Sequence, residues 1–383
     1  MKLTGARVAR NARTTETLDL AVRGGRISFG AASGSPVFDL TGFLVLPGLI
    51  NAHDHLEFNL FPSLGRGTYK NAKAWAADIY QPSLSPVKEH LALSKRARMV
   101  WGGLKNLLSG VTTVAHHNPL DETLLHPSFP VNVVKHFGWA HSLDFSPDLV
   151  ERFRTTPGNW PFILHAGEGV DEHARSEVGR LEQLGVLSDR TVLVHGIGLD
   201  QPDLQLLRAR QSALVWCPSS NVSTYGQTLC ASAIQSDLNV ILGTDSALTA
   251  PVDLIDEIEV AQRTHPLTAE DCFEMVTTRS ARVLRLSDGE GTIREGGVAD
   301  LVIVEDHGQS PAEALQQMRP DMVMVRGKVR LVSPRLVDAG DWHAVNVEGR
   351  GNWFTDVNLP ALDEETVRAL GPEYRLAGRR VSQ

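Results

Sequence analysis

LPGLINAHDHLEFNL, residues 46–60, is an apolar run that stops on two imidazoles, His53 and His55, with Asp54 between them and Glu57 two places on. The run has the length and make-up of a buried strand. In a strand, residues i and i+2 face the same side, so both imidazoles point into one space while Asp54 points away from it, toward whatever lies behind. Alone, such a His-x-His pair is as often structural as metal-binding, because histidine is commonly half-buried and simply hydrogen-bonded.

Downstream, the same pattern recurs. Apolar runs of four to eight residues alternate with helical stretches from Leu46 to about Leu286: FLVLPGLINAH (43–53), VTTVAHH (111–117), VNVVKHFGWA (131–140), FILHAGE (162–168), TVLVHGI (191–197), ALVWCPSS (213–220) and NVILGTDS (239–246). Strands alternating with helices predict a parallel sheet. Its natural closure is an α/β fold, a (β/α)8 TIM-type barrel. Seven strands are clear, so the barrel is expected to be distorted, with Val131–Phe145 open to either one irregular strand or a strand and a short second one. Between the runs, residues 85–110 read as one helix opened by Ser85-Pro86 and closed by Gly110, and residues 268–286 as another with Thr268 and Asp271 spaced as a capping box.

The flanks alternate differently. Residues 1–46 and 296–345 show short β alternation with glycine turns, which predicts a small β-sandwich domain built from both chain ends around a barrel at 47–295. The tail, 346–383, suggests no firm structure.

Polar side chains able to ligate a metal or move a proton gather at the ends of these runs. His165 ends one, with Glu168 three residues on; His195 ends the next; Pro218-Ser219-Ser220-Asn221 and Asp245 end the last two. Parallel barrels place their active sites at the C-terminal ends of their strands. Taken singly, His165 or His195 could be a satisfied core histidine and Asp245 a helix cap. Taken together, the set points to one metal-dependent site.

These motifs, PGLINAHDH, HAGE, VHG, CPSSN and GTDS in that order, resemble the amidohydrolase superfamily, in particular the branch with one metal that includes nucleobase and nucleoside deaminases and triazine chlorohydrolases. The resemblance spans about Leu46 to Val304. It implies one divalent metal ion per chain, zinc or alternatively iron, held by His53, His55, His165 and Asp245. It further implies catalytic roles for Glu168 as acid/base, His195 beside the metal-bound water and Asp245 as proton acceptor. Metal-bound hydroxide would attack an sp2 carbon and a C–N bond would break, as in deamination of a nitrogen heterocycle. An amide or peptide-like bond hydrolase of the same superfamily, serving a biosynthetic pathway, is the alternative; a non-catalytic relative is the third reading, opposed by the complete ligand set.

Neighbouring residues are candidates for substrate contact: Glu57, His117, Trp139 and Asn221. For each, packing or support of a ligand is an equal alternative. Arg66, Tyr69, Lys73 and Trp75 lie in a long polar segment suited to a lid or an interface. Lys135, in a middle run, is the residue a two-metal site would need, and alternation sets it opposite His136.

Composition limits the rest. Hydrophobic residues make up 42% and charged residues 21%, with net charge −8 and the cations scattered, so a small-molecule substrate is expected instead of nucleic acid. No run of about 18 apolar residues crosses a membrane, and no apolar stretch follows the first cations as an export signal would. Three cysteines in no paired spacing fit a reducing cytoplasm. Homo-oligomers are compatible with such a barrel, but no interface is legible.

Overall fold

The protein is described by a computed structural model over residues 1–30, 36–316, 318–337 and 340–383. Eight parallel strands carry its centre: β1 (Leu49–Asp54), β2 (Val111–His116), β3 (Asn132–Val133), β4 (Gly138–Trp139), β5 (Phe162–Ala166), β6 (Thr191–His195), β7 (Ala213–Trp216) and β8 (Asn239–Leu242). They form two arcs, one ordered β3-β2-β1 and the other β4-β5-β6-β7-β8. The arcs meet just beyond β8. There the N–H groups of Thr244 and Asp245 both donate to the carbonyl of His53 at 3.0 Å, and Asp54 bridges Asp245 in parallel.

The run 131–140 thus holds two strands of two residues each, which supplies the strand that alternation left uncounted. The chain leaves β3 after Val133, turns Lys135 and His136 into solvent, and re-enters at Gly138. Only glycine fits at that re-entry, because a Cβ there would lie 1.9 Å from Thr156 Oγ1. No ladder joins β3 to β4 among the described residues.

Alternation along the strands separates two cores. One buried cluster collects Ile50 and Ala52, Ala115, Ile163, Val192 and Val194, Val215 and Ile241 from six of the strands. The opposite faces (Leu49, Val114, Leu164, Leu193, Leu214, Leu242) pack against helices such as Lys95–Leu108 and Leu254–Thr264. Strands buried on both faces read as continuous apolar runs, as these do.

Both long helical stretches are broken. Residues 85–110 form two helices, Val87–Ala92 and Lys95–Leu108, because Leu93 turns extended and Ser94 caps the second by accepting from the Ala97 N–H at 3.1 Å. Residues 268–286 likewise divide into Ala269–Met275, with its Thr268/Asp271 capping box in place, and Thr278–Val283. The carbonyl of Val276 at the break accepts the Ile50 N–H of β1 at 2.8 Å, which ties the interruption to the central sheet.

The two chain ends share one sheet. Phe43–Pro47 pairs antiparallel with Leu301–Glu305 and parallel with Arg7–Ala9. A second, four-stranded sheet formed by Lys2–Thr4, Leu20–Arg23, Arg26–Phe29 and Val37–Asp39 packs on it through Leu3, Leu20, Ile27, Val45, Ile303 and Met322. The tail continues the larger sheet with His343–Val347, Gly351–Thr355 and Arg379–Ser382, and folds helix Leu359–Leu370 between them. No helix among the described residues is long and apolar enough to cross a membrane.

Asp54 turns away from its histidine neighbours into a buried network. Its Oδ2 meets Lys105 Nζ at 2.9 Å and accepts from Asn106 Nδ2 at 2.8 Å, while Oδ1 accepts from Asn59 Nδ2 at 2.8 Å. Lys105 Nζ also donates to Asn59 Oδ1 and Thr244 Oγ1, each at 3.0 Å. Removing one partner of a buried pair strands the other charge, at a cost of about 3–5 kcal/mol. Lys105→Met is therefore expected to lower unfolding free energy in denaturant titration by about that amount, while an unchanged midpoint would contradict the network's role.

Glu257 is fully buried on the helix after β8 and accepts the Ser219 N–H at 3.0 Å through Oε1. Burial pushes its carboxyl from 4.5 up to about 8. A raised folded value means that its stabilising contribution is complete below the unfolded value and lost as pH rises through the folded one. Glu257→Gln keeps an oxygen for Ser219 and removes the titration, so the fall in Tm between pH 4.5 and about pH 8 should become shallower than in the wild type.

Candidate active site

Four side chains from three strand ends converge. His53, the fifth residue of β1, brings Nε2 to 3.3 Å from Nε2 of His165 on β5. Asp245, three residues past β8, sets Oδ1 at 3.8 Å from His53 Nε2 and 3.6 Å from His55 Nε2. The backbone allows this only because residue 243 is glycine: a Cβ there would sit 2.7 Å from His53 Cβ and 2.8 Å from its nitrogen. Asp245 itself lies at φ 56° and His195, at the end of β6, at φ 77°. Such left-handed non-glycine residues store strain and concentrate at functional sites.

The hydrogen bonds determine which atoms face inward. Nδ1 of His165 donates to the His141 carbonyl at 2.9 Å, so its Nε2 carries a lone pair directed at His53. Oδ2 of Asp245 accepts from Ser220 Oγ at 2.7 Å and Thr249 Oγ1 at 3.0 Å, which leaves Oδ1 toward the histidines. Burial, followed by the neighbouring imidazoles, pushes His53 and His165 well below the usual histidine range and so keeps them neutral. Neutral imidazoles with a carboxylate are a zinc donor set, and tetrahedral bonds of about 2.0–2.1 Å place two nitrogens roughly 3.3 Å apart. The donors of His53, His55 and His165 all lie within 4.8 Å of one another. The residues present fit a metal ion.

Glu168 and His195 flank this cluster. Glu168 follows β5 across Gly167, which lies at φ 62°. Its Oε1 is 3.6 Å from His195 Nε2 and accepts from the Tyr225 hydroxyl at 2.6 Å. Burial raises its carboxyl, against the pull of His195 and of the tyrosine hydrogen bond. His195 Nδ1 donates to Asn221 Oδ1 at 2.8 Å, so its Nε2 keeps a lone pair on the Glu168 side.

The other candidates occupy varied places. Asn221 lies on helix Pro218–Tyr225 and is committed to His195 through its side-chain oxygen. His117 is buried, with Nε2 donating to the Ala140 carbonyl at 3.1 Å and its ring 4.4 Å from that of His165. Trp139 is half-buried, its ring 5.5 Å from the His117 ring. Glu57 accepts from Asn118 Nδ2 at 2.9 Å and lies 3.7 Å from His116 Nε2; Asn118, in turn 3.3 Å from His55 Nδ1, joins it to His55. Lys135 is exposed, away from the cluster, which removes the residue a two-metal site would need. His136 is exposed as well, its ring tilted against that of Trp160 with centroids 5.1 Å apart, instead of lining the site. The 61–86 segment is stitched to the Glu168 loop: Ala72 N–H donates to the Glu168 carbonyl at 3.1 Å and Asn71 bridges Gly169.

Sequence reasoning passed over Tyr225, Thr249 and Glu177. Glu177 is buried and takes the Gly167 N–H at 2.7 Å, bracing the turn between His165 and Glu168. The one legible signal was for Tyr225, four residues after Asn221 and hence on the same helix face.

The sequence profile of the amidohydrolase family matches residues 162–330. A 5-methylthioadenosine/S-adenosylhomocysteine deaminase from Pyrococcus horikoshii is 25% identical over 334 residues, covering 70% of this chain and 76% of that protein. A 5'-deoxyadenosine deaminase from Methanothrix thermoacetophila is 26% identical over 371 residues, covering 79% and 85%. Among solved structures, a zinc-complexed atrazine chlorohydrolase from Arthrobacter aurescens superposes with a TM-score of 0.71 at 18% identity, covering 96% of this chain and 99% of that one. A zinc-bound adenosine deaminase from Xanthomonas campestris gives 0.66 at 16% identity, covering 96% and 98%. At those identities the structural likeness is one of fold, and the sequence likeness to the amidohydrolase family is carried by the profile match over residues 162–330.

Proposed function

We propose that the protein is a metal-dependent hydrolase that deaminates a nitrogen heterocycle, with an adenine nucleoside as substrate class. One observation carries the reading: Nε2 of His53, His55 and His165 and Oδ1 of Asp245 converge, while Asp54 and the second oxygen of Asp245 are committed elsewhere. The deaminase relatives supply the substrate class. These four residues would hold one divalent ion, zinc or iron, on a distorted (β/α)8 barrel at 47–295, with residues 1–46 and 296–345 forming the β-sandwich domain. When bound with an open coordination position, such an ion lowers the pKa of a water molecule to about 7.

The chain's own groups then divide the work. Asp245 accepts a proton from the attacking water through Oδ1. His195, whose Nδ1–H is held by Asn221, turns the Nε2 lone pair inward and orients that water. Glu168, whose carboxyl burial raises above its ordinary value, hands a proton to the leaving nitrogen. A C–NH2 group and water become a carbonyl and ammonia. His117 and Trp139, close to the ligand histidines, are placed to contact the heterocycle, and Glu57 to support His55 through Asn118.

Elemental analysis of protein purified without chelator should find about one zinc or iron per chain, lost in the His53→Ala, His55→Ala double variant. Loaded enzyme should release ammonia from 5'-methylthioadenosine, S-adenosylhomocysteine or 5'-deoxyadenosine; a carboxylate and an amine formed from an amide, with no ammonia from any heterocycle, would overturn deamination. Glu168→Gln should retain the metal and lose roughly 10²–10⁴-fold in kcat, whereas normal turnover would remove Glu168 from its role. Gly243→Ala, which drives a methyl against His53, should weaken metal retention during dialysis against chelator while Glu168→Gln does not.

A further inference from the structure

We infer that Tyr225 is a positioning residue for the acid, selecting which oxygen of Glu168 carries the transferable proton. This deepens the deaminase reading and rests on Glu168 acting as proton donor.

The geometry is specific. Helix Pro218–Tyr225 begins after β7, and its last residue places a buried ring against the loop that follows β5. The hydroxyl donates to Glu168 Oε1 at 2.6 Å. A phenol has one O–H to donate, and among the described residues no other acceptor takes it, so Oε1 is held as the acceptor of this bond. Among the described residues, Oε2 receives no hydrogen bond from the protein, which leaves it as the oxygen that bears the proton. The same Oε1 lies 3.6 Å from His195 Nε2, which presents a lone pair. A proton on Oε1 would compete with the tyrosine for one acceptor site and could be drawn to the imidazole; a proton on Oε2 avoids both.

The pair is braced from one side by a single piece of chain. Tyr69 N–H donates to the Thr224 carbonyl at 2.9 Å, Ala72 N–H donates to the Glu168 carbonyl at 3.1 Å, and the Lys70 carbonyl accepts from Val170 N–H at 2.8 Å. Residues 69–72 therefore grip both the helix that carries the tyrosine and the loop that carries the acid. Helix Ala72–Ile79, capped by the Asn71 side chain, locks that grip. The polar segment after β1 thus sets the spacing between Tyr225 and Glu168.

Tyr225→Phe removes only the hydroxyl and keeps the packed ring. With 5'-methylthioadenosine, S-adenosylhomocysteine and 5'-deoxyadenosine as probes, it should lower kcat about 10- to 100-fold, with KM within about twofold and metal content and Tm unchanged. In a Glu168→Gln background the same change should cost less than about twofold, because the hydroxyl acts only through the acid. Equal losses in both backgrounds, or wild-type kcat in Tyr225→Phe, would overturn the inference. Crystal structures of the metal-loaded wild type and Tyr225→Phe give a readout that needs no turnover: the Glu168 carboxylate should rotate or take two positions in the variant, and an unmoved carboxylate would equally overturn it. If the wild type releases no ammonia from any probe, the deaminase reading falls, while the crystal comparison still decides the hydrogen bond's role.

Discussion

The two N–H groups of Thr244 and Asp245 on the carbonyl of His53 join the last parallel strand to the first. Everything at the site depends on that contact. It brings Asp245 to the two histidines of β1, it requires the bare backbone of Gly243, and it leaves Asp245 at a positive φ. Strain at Asp245 and His195 persists because their surroundings over-determine them: Ser220 and Thr249 hold one carboxylate oxygen, and Asn221 holds one imidazole nitrogen.

Behind the contact lies the Asp54–Lys105 network, and its charges are satisfied in the interior by Asn59, Asn106 and Thr244. In front lies a cluster of imidazoles which burial keeps neutral. One strand end therefore faces two different electrostatic environments. The charged side orients the backbone of β1, and the neutral side presents lone pairs, the form in which histidine ligates a metal.

The chain ends serve the same region from outside. Arg350 and Arg379, in and beside the C-terminal strands, pair with Asp253 and Asp256 at the start of the helix that follows Asp245. The Ala377 N–H donates to the carbonyl of Asn59, the residue that also holds Asp54. The tail, with no clear periodicity of its own, takes its structure from these partners and from the edge of the sheet it extends. Such contacts join residues 94 or more apart in sequence, and no local pattern announces them.

What the sequence determined by itself was whatever depends on short periods. Apolar runs ending in His53, His165, His195 and Asp245 announced parallel strands with chemistry at their ends, and i, i+2 alternation separated Asp54 from its neighbours before any contact was known. Spacing also located the Thr268/Asp271 capping box. Tertiary structure decided the rest. The run 131–140 divides in two because Lys135 and His136 turn to solvent and Gly138 must pass close to Thr156. The helices of 85–110 and 268–286 break where Ser94 caps and where β1 takes a carbonyl. Asn221 is turned to His195, and Tyr225 meets Glu168 across 57 residues of chain. Periodicity tells which face of an element is buried, while the partner that buries it is chosen by packing between elements distant in sequence, and only the folded chain specifies that choice.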